Sequence, residues 1–303
     1  VGRVPYRGYF NEDAAIEEQR KLEEDGFDTY LRPAAAFSTL GWFADPLLST
    51  LLRLDEVDLV ETVLHELSHN HLFVKDQVRF NESFATFVGR AGAIEFFCNR
   101  VGGSPDTVKC LRAQARWRDH QRFEGFINGL VEQLEVVYQD TALAYETKVA
   151  EREVIFDRHL EIFANDVQPS FEASTYQGFL VTPLNNATLL TRVRYNHRLQ
   201  DFQALLEREG DLRRAVQYLK DGVDGVDVKA VAQFTGQAAH VGIDAGYVDR
   251  HGTVLLGPGV EERGHQGEPV ELALVTQPSA VLPHIPDCAE RKHQVAQART
   301  RAV

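Results

Sequence analysis

Apolar and polar positions recur at helical spacing through most of the first 220 residues, interrupted by short stretches that alternate. Asn11 ahead of Glu12 and Asp13, with Gly26 after KLEED, predicts a helix over 12–25, capped at one end and stopped at the other. Phe27 to Leu31 alternates and is rich in β-formers, so it reads as a strand. Ala35 to Phe43, AAFSTLGWF, reads as a second strand with Gly41 as a weak point, and the two are expected to form a small sheet. Asp45-Pro46 turns the chain into a short apolar helix over 46–54, and Asp55 is placed to cap the next helix, VDLVETVLHELSHNHLF, from Val57 to Phe73.

Beyond a connection around Lys75 to Arg79, Phe84, Phe87, Val88, Ala91, Ile94 and Phe97 mark a helix over 81–99. Ile127, Leu130, Leu134 and Val137 stripe a long helix from Asp106 to about Asp140. A second and more charged one runs from Leu143 to about Ala164, and the two suit an antiparallel pair. Gln168-Pro169 and Pro183 bracket a loop, Asn185-Asn186 caps a helix through Arg198, and Gly210-Asp211 breaks the helical pattern between Arg208 and Leu212. After Asp221 the character changes: ten of the 22 glycines lie in 222–268, and the one strand-like run begins at Glu271. The expected fold is therefore α+β and predominantly helical, with residues 1–220 as the domain and 221–303 as an irregular or partly disordered tail.

The helix at 57–73 carries the chemistry. At 3.6 residues per turn His65 and His69 lie about 40° apart on one face, so both imidazoles can reach one metal ion, and Glu66 points toward the same space. In H-E-x-x-H the two histidines bind zinc and the glutamate takes a proton from the attacking water. Val57, Val60, Leu64 and Leu67 are expected to face a core. A catalytic zinc takes three protein ligands. The metzincin spacing is excluded, because its glycine and third histidine would fall on Leu72 and Lys75. Glu82 in NESFA, in the first turn of the next helix, is the leading third ligand, with Asp76 in the connection behind it. His71 points about 200° from His69, toward the surface. Asn81 would orient Glu82 or cap its helix.

Composition narrows the alternatives. The 303 residues carry 44% apolar and 25% charged side chains, which suits a sizeable globular core. A net charge of -13 with a pI near 5.3 leaves no basic stripe for nucleic acid. No apolar window is long enough to span a membrane. Zero Met suggests a fragment or processed form, whose export segment could lie upstream. Cys98, Cys110 and Cys288 form no C-x-x-C; buried free thiols are expected, with a Cys98 to Cys110 bridge open in an oxidising compartment. His240, His251, His265, His284 and His293 in the tail match no ligand spacing.

VPYRGYFNEDAA, AFSTLGWFADPLLST, HELSHNHLFVKD, FNESFATFV and PLNNATLL, followed by Tyr195 and FQALL, resemble the bacterial putative aminopeptidase family of gluzincin type, from Val1 to about Lys220. The resemblance implies one zinc per chain on His65, His69 and Glu82, with Glu66 as general base and proton donor. It implies Tyr195 as donor to the oxyanion, with His197 as the alternative. Ser38, Thr39, Leu40, Gly41 and Trp42 would form an edge strand that pairs with extended substrate. The partner is a peptide or protein substrate. A cell-envelope or periplasmic location, with a lipid anchor upstream of Val1, follows from the same resemblance.

An aminopeptidase also needs a carboxylate for the substrate's free amine, and Glu61, Glu95 and Glu172 are candidates. A zinc endopeptidase of the cell envelope stays open beside it. So does a non-catalytic helical interaction protein with a structural metal, although Glu66 counts against that reading, since a structural site needs no base.

Overall fold

Asn11 stands in the extended region and accepts the amide of Ala14, which opens α1 (Glu12–Glu24); Gly26, left-handed at φ 85°, closes it. The computed structural model describes residues 6–9, 11–33, 49–74, 77–100, 103–223 and 270–278. β1 (Tyr6–Tyr9) precedes α1 and β2 (Phe27–Pro33) follows it. The strand expected from Glu271 is β3 (Val270–Pro278), which takes the middle of an antiparallel sheet of order β1-β3-β2. Tyr6 stands opposite Ala273 and Leu31 opposite Leu272. Part of the C-terminal stretch is thus joined to the N-terminal sheet. The strand expected over 35–43 lies outside the described residues.

The remainder of the described chain is helical. A 3-10 turn (Ser49–Arg53) stands within the span read as a short helix, and then Asp55 accepts the amides of Val57 and Asp58 to cap α2 (Glu56–His71). α3 (Val78–Cys98) runs back along α2 and packs also on α4 (Val108–Gln139), α7 (Asn186–Tyr195), α8 (Leu199–Glu209) and α9 (Leu212–Val223). α5 (Tyr145–Ile162) pairs with α4, continues through a π turn (Phe163–Val167), and is followed by the four-residue α6 (Gly178–Val181). The fold is α+β and predominantly helical.

Three apolar clusters hold these helices among the described residues, the smallest of them around Val57, Phe97 and Ala113. Ile127, Leu130 and Leu134, the predicted stripe of α4, are fully buried against Phe156, Phe163, Phe179 and Leu189. Phe80, Phe84 and Phe87 of α3 pack on Leu199, Phe202 and Leu219, with Phe87 and Phe202 stacked at 5.3 Å. Burying each such ring contributes roughly 1.5–3 kcal/mol. The sheet is tied to this bundle through Asp28, whose carboxylate accepts Arg152 Nη1 at 2.8 Å and the amide of Asn186 at 3.1 Å. Asn185 and Thr188 form a capping box that starts α7 as expected, but the helix stops at Tyr195 and Arg198 turns left-handed at φ 55°.

Cys98 and Cys110 are bonded to each other, joining the end of α3 to the start of α4; the expectation of free thiols is corrected for this pair. Their spacing of 12 residues brings the two helix ends together across one tight connection. Leu67 is a second correction, being 56% exposed. It lies about 200° around the helix from His65, so the face that turns the histidines inward turns Leu67 out.

Glu124 on α4 is 1% exposed, and its Oε1 accepts the amide of Leu199 at the start of α8. Burial, aided by the charge of Asp201, pushes its carboxyl up to about 7, against the Leu199 amide and Asn128. The unfolded chain ionises this group near 4.5, so the folded state holds a proton that the unfolded state has lost, and stability falls as pH rises from about 4.5 to about 7. Glu124→Gln keeps the acceptor. Its urea-unfolding free energy is expected to match wild type near pH 4 and to exceed it above pH 8 by on the order of 2–3 kcal/mol. A difference that does not vary with pH contradicts this.

Candidate metal centre

The centre is built on the seam between α2 and α3. A Cβ placed on Gly89 would stand 2.6 Å from the backbone oxygen of Glu61 and 3.4 Å from Cβ of His65, so a glycine is required for the two helices to lie this close. A Cβ on Gly92 would stand 2.6 Å from Cδ1 of Leu64, the end of a side chain that can shift. The helices run antiparallel, and the register set at Gly89 brings the first turn of α3 beside the last turns of α2. Asn81 makes two bonds to Val74, accepting its amide and donating to its carbonyl, which fastens the link between the helices. That is neither the cap nor the Glu82 contact expected of it. Ser83 accepts the amide of His197 at 2.9 Å and donates to the carbonyl of Arg194, tying the start of α3 to the end of α7. Glu82 sits between these two anchors.

Glu82 Oε2 lies 3.4 Å from His65 Nε2 and 3.6 Å from His69 Nε2. Bonds of 2.0–2.2 Å in a tetrahedral zinc site put neighbouring ligand atoms about 3.4 Å apart, so the spacing suits a metal ion of this size. One donor atom from each of the three residues falls within 4.8 Å of the others, and among the described residues no further group of histidine, cysteine or carboxylate does this. A tetrahedral ion on these three donors would keep one position for water, as in a reactive rather than a closed site.

Burial acts to raise the Glu82 carboxyl, but hydrogen bonding and charge from His65 and His69 outweigh it and hold the group far below the usual range. Burial likewise disfavours protonated His69, yet the carboxylates of Glu82 and Glu66 raise its pKa overall. Glu66 is therefore close enough for its charge to be felt at His69. The Tyr195 ring stands 5.9 Å from that of His65, so the end of α7 brings the tyrosine beside this histidine. His197 is turned to Ser83 by its backbone, and burial, with Arg79 and Arg198 nearby, lowers its imidazole to about 4. His71 is exposed, as expected. Ser38, Thr39, Leu40, Gly41, Trp42 and Asp76 lie outside the described residues.

The three candidates for the substrate's amine separate by position. Glu61, one turn before His65, is buried and receives Arg90 Nη1 at 2.6 Å. Glu95 is exposed, about 20 Å along α3 from Glu82. Glu172 is held by Arg118 and Arg122 on the loop beyond α5. Reading the sequence did not single out Gly89, Arg90, Ser83 or Arg116. Glycines inside a helical pattern are a signal of close packing, and Gly89 and Gly92 carried it. Arg116 of α4 grips Asp58 through both terminal nitrogens and reaches the capping Asp55, which locks the first turn of α2.

A family model described as "Putative aminopeptidase" matches residues 1–225. No curated protein and no solved structure gives a significant match. Among the described residues no helix is long and apolar enough to cross a membrane.

Gly89→Ala tests the seam. The added methyl meets backbone, so the helices must part by several tenths of an ångström, at a cost of about 1–3 kcal/mol. The variant is expected to unfold at lower denaturant and to lose zinc to a chelator faster than wild type, whereas Gly125→Ala, where a Cβ meets nothing within 4 Å, should do neither. Equal zinc release from the Gly89 variant and wild type would show that the close approach does not set the donor geometry.

Proposed function

Because the chain belongs to the putative aminopeptidase family, a premise that makes peptide hydrolysis its coarse activity, we propose that it is a zinc-dependent aminopeptidase of gluzincin type. The observation that supports this most is the convergence of His65, His69 and Glu82 on one small space, with Glu66 on the same helix. Zinc bound there would lower the pKa of a water to about 7 and polarise the substrate carbonyl.

The residues divide the work by chemistry. His65 and His69 offer neutral nitrogens and Glu82 an anionic oxygen, so together they hold a divalent cation at reduced charge. Glu66 accepts a proton from the attacking water and passes it to the nitrogen of the leaving amine, so one water is consumed and one peptide bond is broken. The Tyr195 phenol donates a hydrogen bond to the oxygen that gains charge as the carbonyl carbon becomes tetrahedral. Ser38 to Trp42 supply backbone hydrogen bonds to extended substrate. The exopeptidase assignment rests on the family. A structural metal is disfavoured by the presence of Glu66 and by the lack, among the described residues, of a fourth donor beside the other three.

A cell-envelope location, with a lipid anchor upstream of Val1, belongs to the same reading. The Cys98–Cys110 bond supports it, since such bonds persist where the surroundings are oxidising.

Glu66→Gln is expected to keep one zinc per chain and to lose peptide hydrolysis by at least about a thousandfold, while Glu82→Ala should bind zinc more weakly and lose activity in step. Tyr195→Phe should lower kcat by roughly tenfold to a hundredfold with a smaller change in KM. Free-amine peptides should be cleaved in preference to their N-acetylated forms. Full hydrolysis by Glu66→Gln would overturn the mechanism, and undiminished zinc binding by Glu82→Ala would overturn the third ligand.

A further inference from the structure

The α2–α3 seam does not end at the metal donors. Beyond them, on the side of Glu61 and Arg90, it opens on a cavity of about 310 Å³ lined by Arg90, Arg116, Ala173, Ser174, Thr175 and Tyr176. The charged groups among these are two guanidiniums, and the polar side chains beside them are hydroxyls.

The acids that balance the arginines grip them through their terminal nitrogens. Arg90 gives Nη1 to Glu61 Oε2, and Arg116 gives Nη1 and Nη2 to Asp58. Arg116 Nε is buried and has no hydrogen-bond partner. Each guanidinium carries five donors, so both keep N–H groups uncommitted while their planes are fixed. The opposite wall is just as fixed. Asp119, fully buried, accepts the amides of Glu172, Ala173 and Ser174, and Glu172 itself is turned outward onto Arg118 and Arg122. A rigid concavity with spare donors and no carboxylate among its lining suits an oxyanion, and paired planar forks suit a carboxylate.

Two links join the cavity to the metal centre. Arg90 lies on the same seam as Glu82, about 12 Å further along α3 at 1.5 Å per residue. Tyr176 meets His120 at 2.9 Å, and His120 sits beside the backbone of Tyr195, whose ring faces His65. Extended peptide advances about 3.4 Å per residue, so a chain held at the metal by its first peptide bond reaches this distance at its fourth residue.

We infer that the Arg90–Arg116 cavity is a specificity subsite that takes a carboxylate of the peptide on the leaving-group side, about four residues from the amine end. This rests on the aminopeptidase reading and deepens it. Two sources offer the same chemistry, the C-terminal carboxylate of a tetrapeptide and an acidic side chain at the fourth position of a longer chain. Arg90 and Arg116 act here on affinity and leave the bond-breaking step to the metal centre.

The test uses the full chain loaded with zinc and three probes: tetra-alanine, its C-terminal amide, and Ala-Ala-Ala-Glu amide. Wild type is expected to show a KM for the plain amide at least about tenfold above that for tetra-alanine, with kcat less affected. Rescue by the glutamate peptide assigns the side chain as a source; no rescue confines the subsite to the C-terminus. Thr175→Glu puts a competing carboxylate into the cavity from an exposed loop position, and Glu61→Gln/Arg90→Gln removes one fork without stranding a buried charge. In both, the ratio of amide to acid KM should fall toward one through a rise in KM for the acid. Titrating the same peptides into Glu66→Gln should give the same order of affinities. Hydrolysis of tetra-alanine and its amide with equal KM overturns the subsite while the aminopeptidase reading stands; hydrolysis of no peptide overturns that reading and the subsite with it.

Discussion

Everything distinctive in this protein depends on how closely α2 and α3 approach. A helix pair separated by an ordinary side chain would hold Glu82 away from His65 and His69. Gly89 removes that side chain at the one place where the backbone of Glu61 comes within 2.6 Å of a Cβ position. Asn81 then fastens the link between the two helices, while Ser83 anchors α3 to the end of α7 and Arg116 anchors the first turn of α2 to α4. The first two are made by buried side chains, where such contacts are worth more than at the surface.

The approach carries an electrostatic consequence. A carboxylate as enclosed as Glu82 is costly unless opposite charge or donors surround it, and the two imidazoles supply these. A divalent cation would serve the same need more strongly, so the seam is built for positive charge whether from protons or from metal. Further along, the sign of the lining reverses: the cavity presents Arg90 and Arg116, with their acidic partners bound to the terminal nitrogens. On the proposed reading, one seam would carry a cation site at Glu82 and an anion site beginning at Arg90, about 12 Å further along α3, the polarity of a peptide laid from its scissile bond toward its carboxylate.

Much of this was legible in the sequence because it is local. Helical spacing located α1 through α5, caps at Asn11, Asp55 and Asn185 marked the starts of α1, α2 and α7, and helix geometry put His65 and His69 of H-E-x-x-H on one face. Glu82 could be placed because two antiparallel helices with a short link leave few positions for it. What stayed hidden is what depends on distant pairings. β3 was visible as a strand, but its place between β1 and β2 joins residues more than 200 positions apart. The bond between Cys98 and Cys110 depends on how α3 meets α4, and spacing alone did not decide it. Arg90 and Arg116 look like ordinary solvated charges on helices, and only the packing of α4 and of loop 172–176 against the seam gives them a common cavity. Leu67 fails as a core residue for a local reason, its angle from His65, that helix geometry already contained.

The central claim is that His65, His69 and Glu82 share one metal ion and leave a position open for reaction. Diffraction from crystals of the zinc-loaded protein, recorded on both sides of the zinc absorption edge, tests it directly. One anomalous peak is expected on the α2–α3 seam, about 2.0–2.2 Å from a nitrogen of each histidine and from a Glu82 oxygen, with water rather than protein in the remaining position. A peak elsewhere, or a fourth protein ligand closing the site, would contradict the account.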